Sequence, residues 1–243
     1  MLSPDRNAFV EAAESGSTLI PVACSWPADL ETPLTTWLKV GEGHPPGVLL
    51  ESVEGGETLG RWSVVACDPL WTLSVRGDRL ERTWRDGHID SFTGNPFDHL
   101  RRCLEPYTPA TLPGLPPLGQ LYGMWGYELI HWIEPSVPVH PPVSAGPPDG
   151  LWMLMDSILI FDQVKRLITA VAYGDLSGEW GSADTPAQAW ESAMARINGL
   201  RERMAAPLPP VRPLNWRPDR GATPSTTSNR TREDFHQAVE RAK

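Results

Sequence analysis

Apolar residues along this chain recur at two spacings, and the change from one to the other divides it. Near the start, Phe9, Ala12 and Ala13 share a helical face. Ser3-Pro4 offers a cap followed by a first-turn proline, and Gly16 ends the run. Residues 18–24 read as a short strand interrupted by Pro21, a pattern confined to sheet edges. Thr32-Pro33 then opens a second short helix with Leu34, Trp37 and Leu38 on its face. From Val48 the period becomes two. Residues 59–66, 71–76, 79–85 and 88–92 predict short strands, and Gly77-Asp78 and Asp86-Gly87 are dipeptides whose tolerance of positive φ suits tight hairpins. The expectation is an antiparallel meander.

Asn95-Pro96 starts another helix with Phe97, Leu100 and Leu104 on one side, and a proline-rich connection follows. Residues 119–128 form a strand rich in small side chains, which allows close backbone approach. Two apolar strands, 151–161 (bent near Asp156) and 167–173, are joined by the polar stretch 162–166. Thr185-Pro186 opens a long helix with Trp190, Ala193, Met194, Ile197, Leu200 and Met204 at helical spacing. Residues 205–230 hold many prolines and little periodicity, as linkers do. After them, Thr231 and Asp234 resemble a capping box, and Phe235, Ala238, Val239 and Ala242 make a stripe of period i, i+3, i+4, i+7. These boundaries predict a main domain over 1–204, a linker over 205–230, and over 231–243 the first helix of a further domain.

Composition narrows the function classes. A chain of 243 residues that is 40% apolar and 21% charged is globular and long enough for a real core. Its net charge of −9 argues against nucleic acid and against anionic membranes as partners. The three cysteines, Cys24, Cys67 and Cys103, lie far apart with no metal-ligand spacing, which suits reduced thiols and a cytoplasmic setting. The most apolar window, 151–161, is about half the length that spans a bilayer and contains Asp156.

No catalytic motif stands out. The sequence holds no Gly-x-Ser-x-Gly elbow, no phosphate-binding glycine loop and no paired metal ligands. Glu54-Gly55-Gly56-Glu57 could present backbone amides to an anion, but carboxylates flank it, as they would a plain turn. The polar pair Glu51-Ser52 closes an apolar strand. Neighbours in a strand point to opposite faces, so Leu50 and Ser52 share a face and Glu51 looks away from it. A serine on a covered face needs a hydrogen-bond partner. Pattern leaves open whether that partner is protein or ligand.

The same residues resemble the amino-terminal region of the anthranilate synthase component I family, the chorismate-using subunit in tryptophan synthesis. The likeness runs through Phe9 to Ala13, Leu19 to Val22 and Asp29 to Leu34. It peaks at Leu49-Leu50-Glu51-Ser52-Val53-Glu54-Gly55-Gly56-Glu57 with Gly60-Arg61-Trp62-Ser63, similar to the family's Leu-Leu-Glu-Ser and Gly-Arg-Tyr-Ser elements. Gly123-Met124-Trp125-Gly126-Tyr127-Glu128, Ile158 to Asp162, and Ser228-Asn229 with Phe235, Val239 and Lys243 continue it in order. Trp62 stands where the family's element has tyrosine. Aminodeoxychorismate synthase component I shares much of this pattern, and a non-enzymatic amino-acid-binding module is a further alternative of another class.

The resemblance implies an α+β fold of antiparallel sheets packed face to face with outer helices. It implies a strand lining a site for tryptophan as feedback inhibitor. Carried over, Leu50 and Ser52 would face that pocket, with Ser52 hydrogen-bonding the ligand. Glu51 would position the strand or meet the ammonium, and Arg61 would neighbour the carboxylate. It implies a glutamine amidotransferase subunit, component II, as partner. The catalytic residues and the ligands of a Mg²⁺ ion are expected in a chorismate-binding half that follows Lys243. The expectation is thus a regulatory region, inactive alone, with no cofactor of its own.

Overall fold

In the computed structural model, residues 2–41, 43–51, 60–116, 119–137, 146–181, 183–210 and 228–243 are described. The chain opens with β1 (Leu2–Ser3) and α1 (Arg6–Glu14). The cap of α1 is Asp5, whose Oδ1 accepts the Ala8 amide at 2.9 Å; Ser3 is occupied in a strand, paired with Ala23. Next come β2 (Leu19–Pro27) and α2 (Pro33–Val40), the helix capped by Thr32 as the sequence predicts. Then follow β3 (Gly47–Leu50), β4 (Trp62–Cys67), β5 (Trp71–Arg76), β6 (Arg79–Trp84), β7 (Ile89–Thr93) and α3 (Pro96–Leu104). The chain continues through β8 (Leu121–Trp125), a 3₁₀ turn (Tyr127–Leu129), α4 (Ile130–Ile133), β9 (Gly150–Leu154), β10 (Ser157–Asp162) and β11 (Leu167–Asp175). It closes with α5 (Pro186–Met204) and α6 (Arg232–Ala242).

The strands form two antiparallel sheets, ordered β1-β2-β11-β10-β4-β3 and β7-β6-β5-β9-β8. Two local breaks move the chain between them. Between β4 and β5 it turns at Asp68, which takes φ 57°, a left-handed conformation that few residues other than glycine adopt. Between β9 and β10 it turns at Met155-Asp156. The bend expected near Asp156 is therefore a change of sheet, and the expected single meander is a three-strand meander (β5, β6, β7) with β4 in the other sheet. Pro21 sits opposite Tyr173 of β11, on a β2 flank where the two-residue β1 pairs only with Cys24 and Ala23. No neighbour needs an amide there, so the proline is tolerated inside a nine-residue strand.

Alternation along the strands builds three apolar layers. On one face of the first sheet, Ile20, Val22, Val65, Leu159, Phe161, Ile168 and Ala170 pack with Phe9 of α1, Val40 of α2 and Ala193, Ile197 and Leu200 of α5. Its other face carries Ala66, Ile158, Ile160, Val171 and Tyr173, which pack with Met153 and Tyr122 of the second sheet. The far face of the second sheet, with Trp71, Leu73, Val75 and Leu154, is covered by Leu100 and Cys103 of α3. The order is helices, sheet, sheet, helix, the α+β arrangement expected. The face of α3 differs from expectation: Pro96 and His99 are buried while Leu104 is exposed.

Residues 1–209 cluster as one unit and residues 210–243 as another. Within the second, α6 carries the capping box read from the sequence, with the Asp234 amide donating to Thr231 Oγ1 at 3.1 Å.

Candidate functional site

The strand that draws attention in the sequence is β3, the edge of the first sheet. Its register against β4 sets Gly47 opposite Cys67, Val48 opposite Ala66, Leu49 opposite Val65 and Leu50 opposite Val64. Leu49 packs into the layer beneath the helices, and Val48 and Val64 into the layer between the sheets. Leu50, two residues on from Val48, therefore belongs to the inter-sheet face. At this open edge nothing described covers it fully, and 53% of it is exposed. A leucine half in solvent at the end of an otherwise packed face is an apolar surface available for contact. Glu51 follows, exposed. Ser52, with the rest of residues 52–59, lies outside the described residues.

The chain returns at Gly60, in a left-handed conformation with φ 79°, and Arg61 precedes β4. Arg61 forms a fork with Asp162 at the end of β10: Nε donates to Oδ1 at 3.0 Å and Nη2 to Oδ2 at 2.6 Å. Its guanidinium also lies over the Trp62 ring, 4.5 Å from the centroid. Asp162 is almost fully buried and accepts two further bonds, from the amides of Val164 and Lys165. Burial works against its charge, but the Arg61 fork and the two amides outweigh it and hold the carboxyl below its usual range.

The structure thus brings Leu50 and Arg61 to the same end of the β3–β4 pair and places Glu51 beside them. Asp162 was not expected in this constellation. It lies about a hundred residues along the chain, and its only sequence signal is the polar end it gives to an apolar strand. Among the described residues no group of three or more His, Cys, Asp or Glu is placed to hold a metal ion. No helix of the described residues is long and apolar enough to cross a membrane.

Anthranilate synthase component 1 of Synechocystis sp. is 50% identical over 211 residues, 86% of this chain and 41% of that protein. The chain belongs to the anthranilate synthase component I family. A second relative, component 1 of Pseudomonas putida, is 33% identical over 242 residues, covering 98% of this chain and 47% of the relative. The chain therefore spans less than half the length of these family members. The crystal structure of anthranilate synthase component I from Streptococcus pneumoniae TIGR4 aligns with a TM-score of 0.48 at 22% identity, over 76% of this chain and 37% of that one. No protein-family model matches the chain.

Proposed function

We propose that these residues form the regulatory part of an anthranilate synthase component I acting in tryptophan biosynthesis, and carry part of a site where tryptophan binds as feedback inhibitor. The observation that carries this reading is the 50% identity over 211 residues to the Synechocystis protein. The geometry at the end of β3 supports it. An indole needs apolar contact, which the exposed half of Leu50 offers. Alternation turns Glu51 away from that face, so it would position the strand or reach an α-ammonium only through a local bulge. Arg61 already holds Asp162 with two prongs of its fork, so its part toward a ligand carboxylate would be electrostatic. Ser52 would supply the hydrogen bond that fixes the ligand's orientation.

The whole enzyme would join ammonia to chorismate and eliminate pyruvate, with a component II glutamine amidotransferase delivering the ammonia. Mg²⁺ would assist departure of the hydroxyl when bound. Among the described residues no group of three or more His, Cys, Asp or Glu is placed to hold such an ion.

The test joins this chain to the remaining portion of the Synechocystis relative and follows anthranilate fluorescence with and without tryptophan. Turnover inhibited by tryptophan, with Leu50→Asp retaining turnover and losing inhibition, is the expected result. Anthranilate formation by the 243 residues alone, or full inhibition of Leu50→Asp, would contradict it.

A further inference from the structure

At the opposite end of β4 from Arg61, a polar cleft of about 320 Å³ opens against α5. Among its lining residues is Asp156, 3% exposed, at the crossing between β9 and β10. Arg85 reaches it from the β6–β7 turn, Nη1 donating to Oδ2 at 2.9 Å, while its Nε lies 3.2 Å from Oδ1 of Asp68. Arg85 is thus matched by two carboxylates.

The other two guanidiniums in the cleft are not. Arg196 hangs on the carbonyl of Tyr173 and donates to Ser192 Oγ at 3.0 Å. Its Nε is buried and 3.9 Å from Asp156 Oδ2, too far for a hydrogen bond, and has no other partner among the described residues. Arg203 donates from Nη1 to the Val40 carbonyl at 3.2 Å and to Cys67 Sγ at 3.6 Å. No carboxylate of the described residues forms an ion pair with it. Glu202, at the rim, is exposed and pairs with none. Burial presses the Arg196 guanidinium below its ordinary pKa and Arg85 adds to this, while the carboxylates of Asp156 and Asp175 oppose it.

A second observation concerns the wall between these two arginines. Arg196, Gly199 and Arg203 follow at spacings of three and four, so all three face the cleft from one side of α5. Glycine inside a helix is unfavourable, and here neither a positive φ nor a close backbone explains it, because a Cβ at Gly199 would meet nothing within 4 Å. The protein leaves an open floor between two guanidiniums with donors to spare.

We propose that this cleft binds a small oxyanion, a carboxylate or phosphate group, between Arg196 and Arg203 over Gly199. Guanidinium donors match both groups in geometry, and the volume suits a small metabolite. The site is distinct from the Leu50–Arg61 end of β4 and does not depend on the regulatory reading.

The test uses the full 243-residue chain, with sodium phosphate and sodium succinate as separate probes at millimolar concentration and ionic strength matched with sodium chloride. Melting temperature and calorimetric titration are followed in the parent, Arg203→Gln and Gly199→Leu. A rise in melting temperature above the chloride control is expected, with affinity weakened about tenfold or more in both variants. Gly199→Leu without the probe should melt at or above the parent, because the helix gains. A response to phosphate alone assigns a phosphate ligand, and one to succinate alone a carboxylate. No response to either probe beyond chloride, or an undiminished response in both variants, overturns the proposal.

Discussion

Arg61 and Asp162 lie about a hundred residues apart in sequence, yet close the base of the β3–β4 return with two parallel hydrogen bonds, at 3.0 and 2.6 Å. Asp162 is nearly inaccessible, so its charge is tolerable only with these donors and the two amides behind it.

Arg61→Ala removes the fork and leaves a buried carboxylate with backbone donors alone. The expected loss is about 1–3 kcal/mol in chemical denaturation, with Arg61→Lys recovering part of it. The pH dependence has a definite sign. Asp162 is depressed in the folded state, so its stabilisation is present above the unfolded value near 3.8 and disappears as pH falls through the lower folded value. Arg61→Ala should flatten that acid limb. An acid limb as steep as the parent's would contradict this role.

Asp90 gives a second test of electrostatics. Its Oδ2 accepts from Trp84 Nε1 at 2.8 Å and from Arg82 Nε and Nη2 at 3.0 and 2.8 Å, which holds the carboxyl at about 2 instead of 3.8. Trp84→Phe removes the leading donor. Its Asp90 carboxyl should titrate upward of the parent's in carbon-detected NMR, and the stability contributed above pH ~4 should be smaller. An unmoved titration would show that Arg82 and His88 set the shift without Trp84.

Gly174 on β11 tests the layer under the helices. A Cβ there would meet the ring of Phe9 at 2.5 Å and the Ala189 carbonyl at 3.0 Å, and the ring has nowhere to go because Phe9 is fully buried. Gly174→Ala should therefore cost about 1–3 kcal/mol despite alanine's smaller backbone entropy. A neutral or stabilising effect on the melting curve would mean that α1 shifts freely against the sheet.

Sequence patterns located the elements where local chemistry decides them. Thr32-Pro33, Asn95-Pro96 and Thr185-Pro186 begin helices because their side chains and fixed φ act within one turn. The Asp156 break was visible, but its consequence was not, since period two is the same in either sheet. Which sheet a strand joins depends on partners far along the chain, as Leu159 with Val65 shows. The face of α3 was misread for a related reason: His99 is buried by its tilted contact with Phe92, 4.1 Å between ring centroids, a tertiary choice that spacing cannot reveal. At the candidate site, Leu50 and Glu51 were singled out by a polar pair ending an apolar strand, and their proposed role by family resemblance. Asp162 showed only as the polar end of an apolar strand, and its pairing with Arg61, about a hundred residues away, is a tertiary contact that local pattern does not carry.

The central claim is the proposal that Leu50, Glu51 and Ser52 serve regulation and not folding or catalysis. The most direct measurement is the tryptophan inhibition constant of Ser52→Ala and Ser52→Phe in the chain completed with the remainder of its Synechocystis relative, with melting temperatures recorded on the same samples. Losing one hydrogen bond in Ser52→Ala should weaken inhibition by about 0.5–1.5 kcal/mol, roughly two- to tenfold. The phenylalanine ring should fill the ligand's place, so that Ser52→Phe abolishes inhibition while anthranilate formation and melting temperature stay close to the parent's. If tryptophan inhibits Ser52→Phe as strongly as the parent, or if inhibition, turnover and stability fall together, the regulatory account is contradicted.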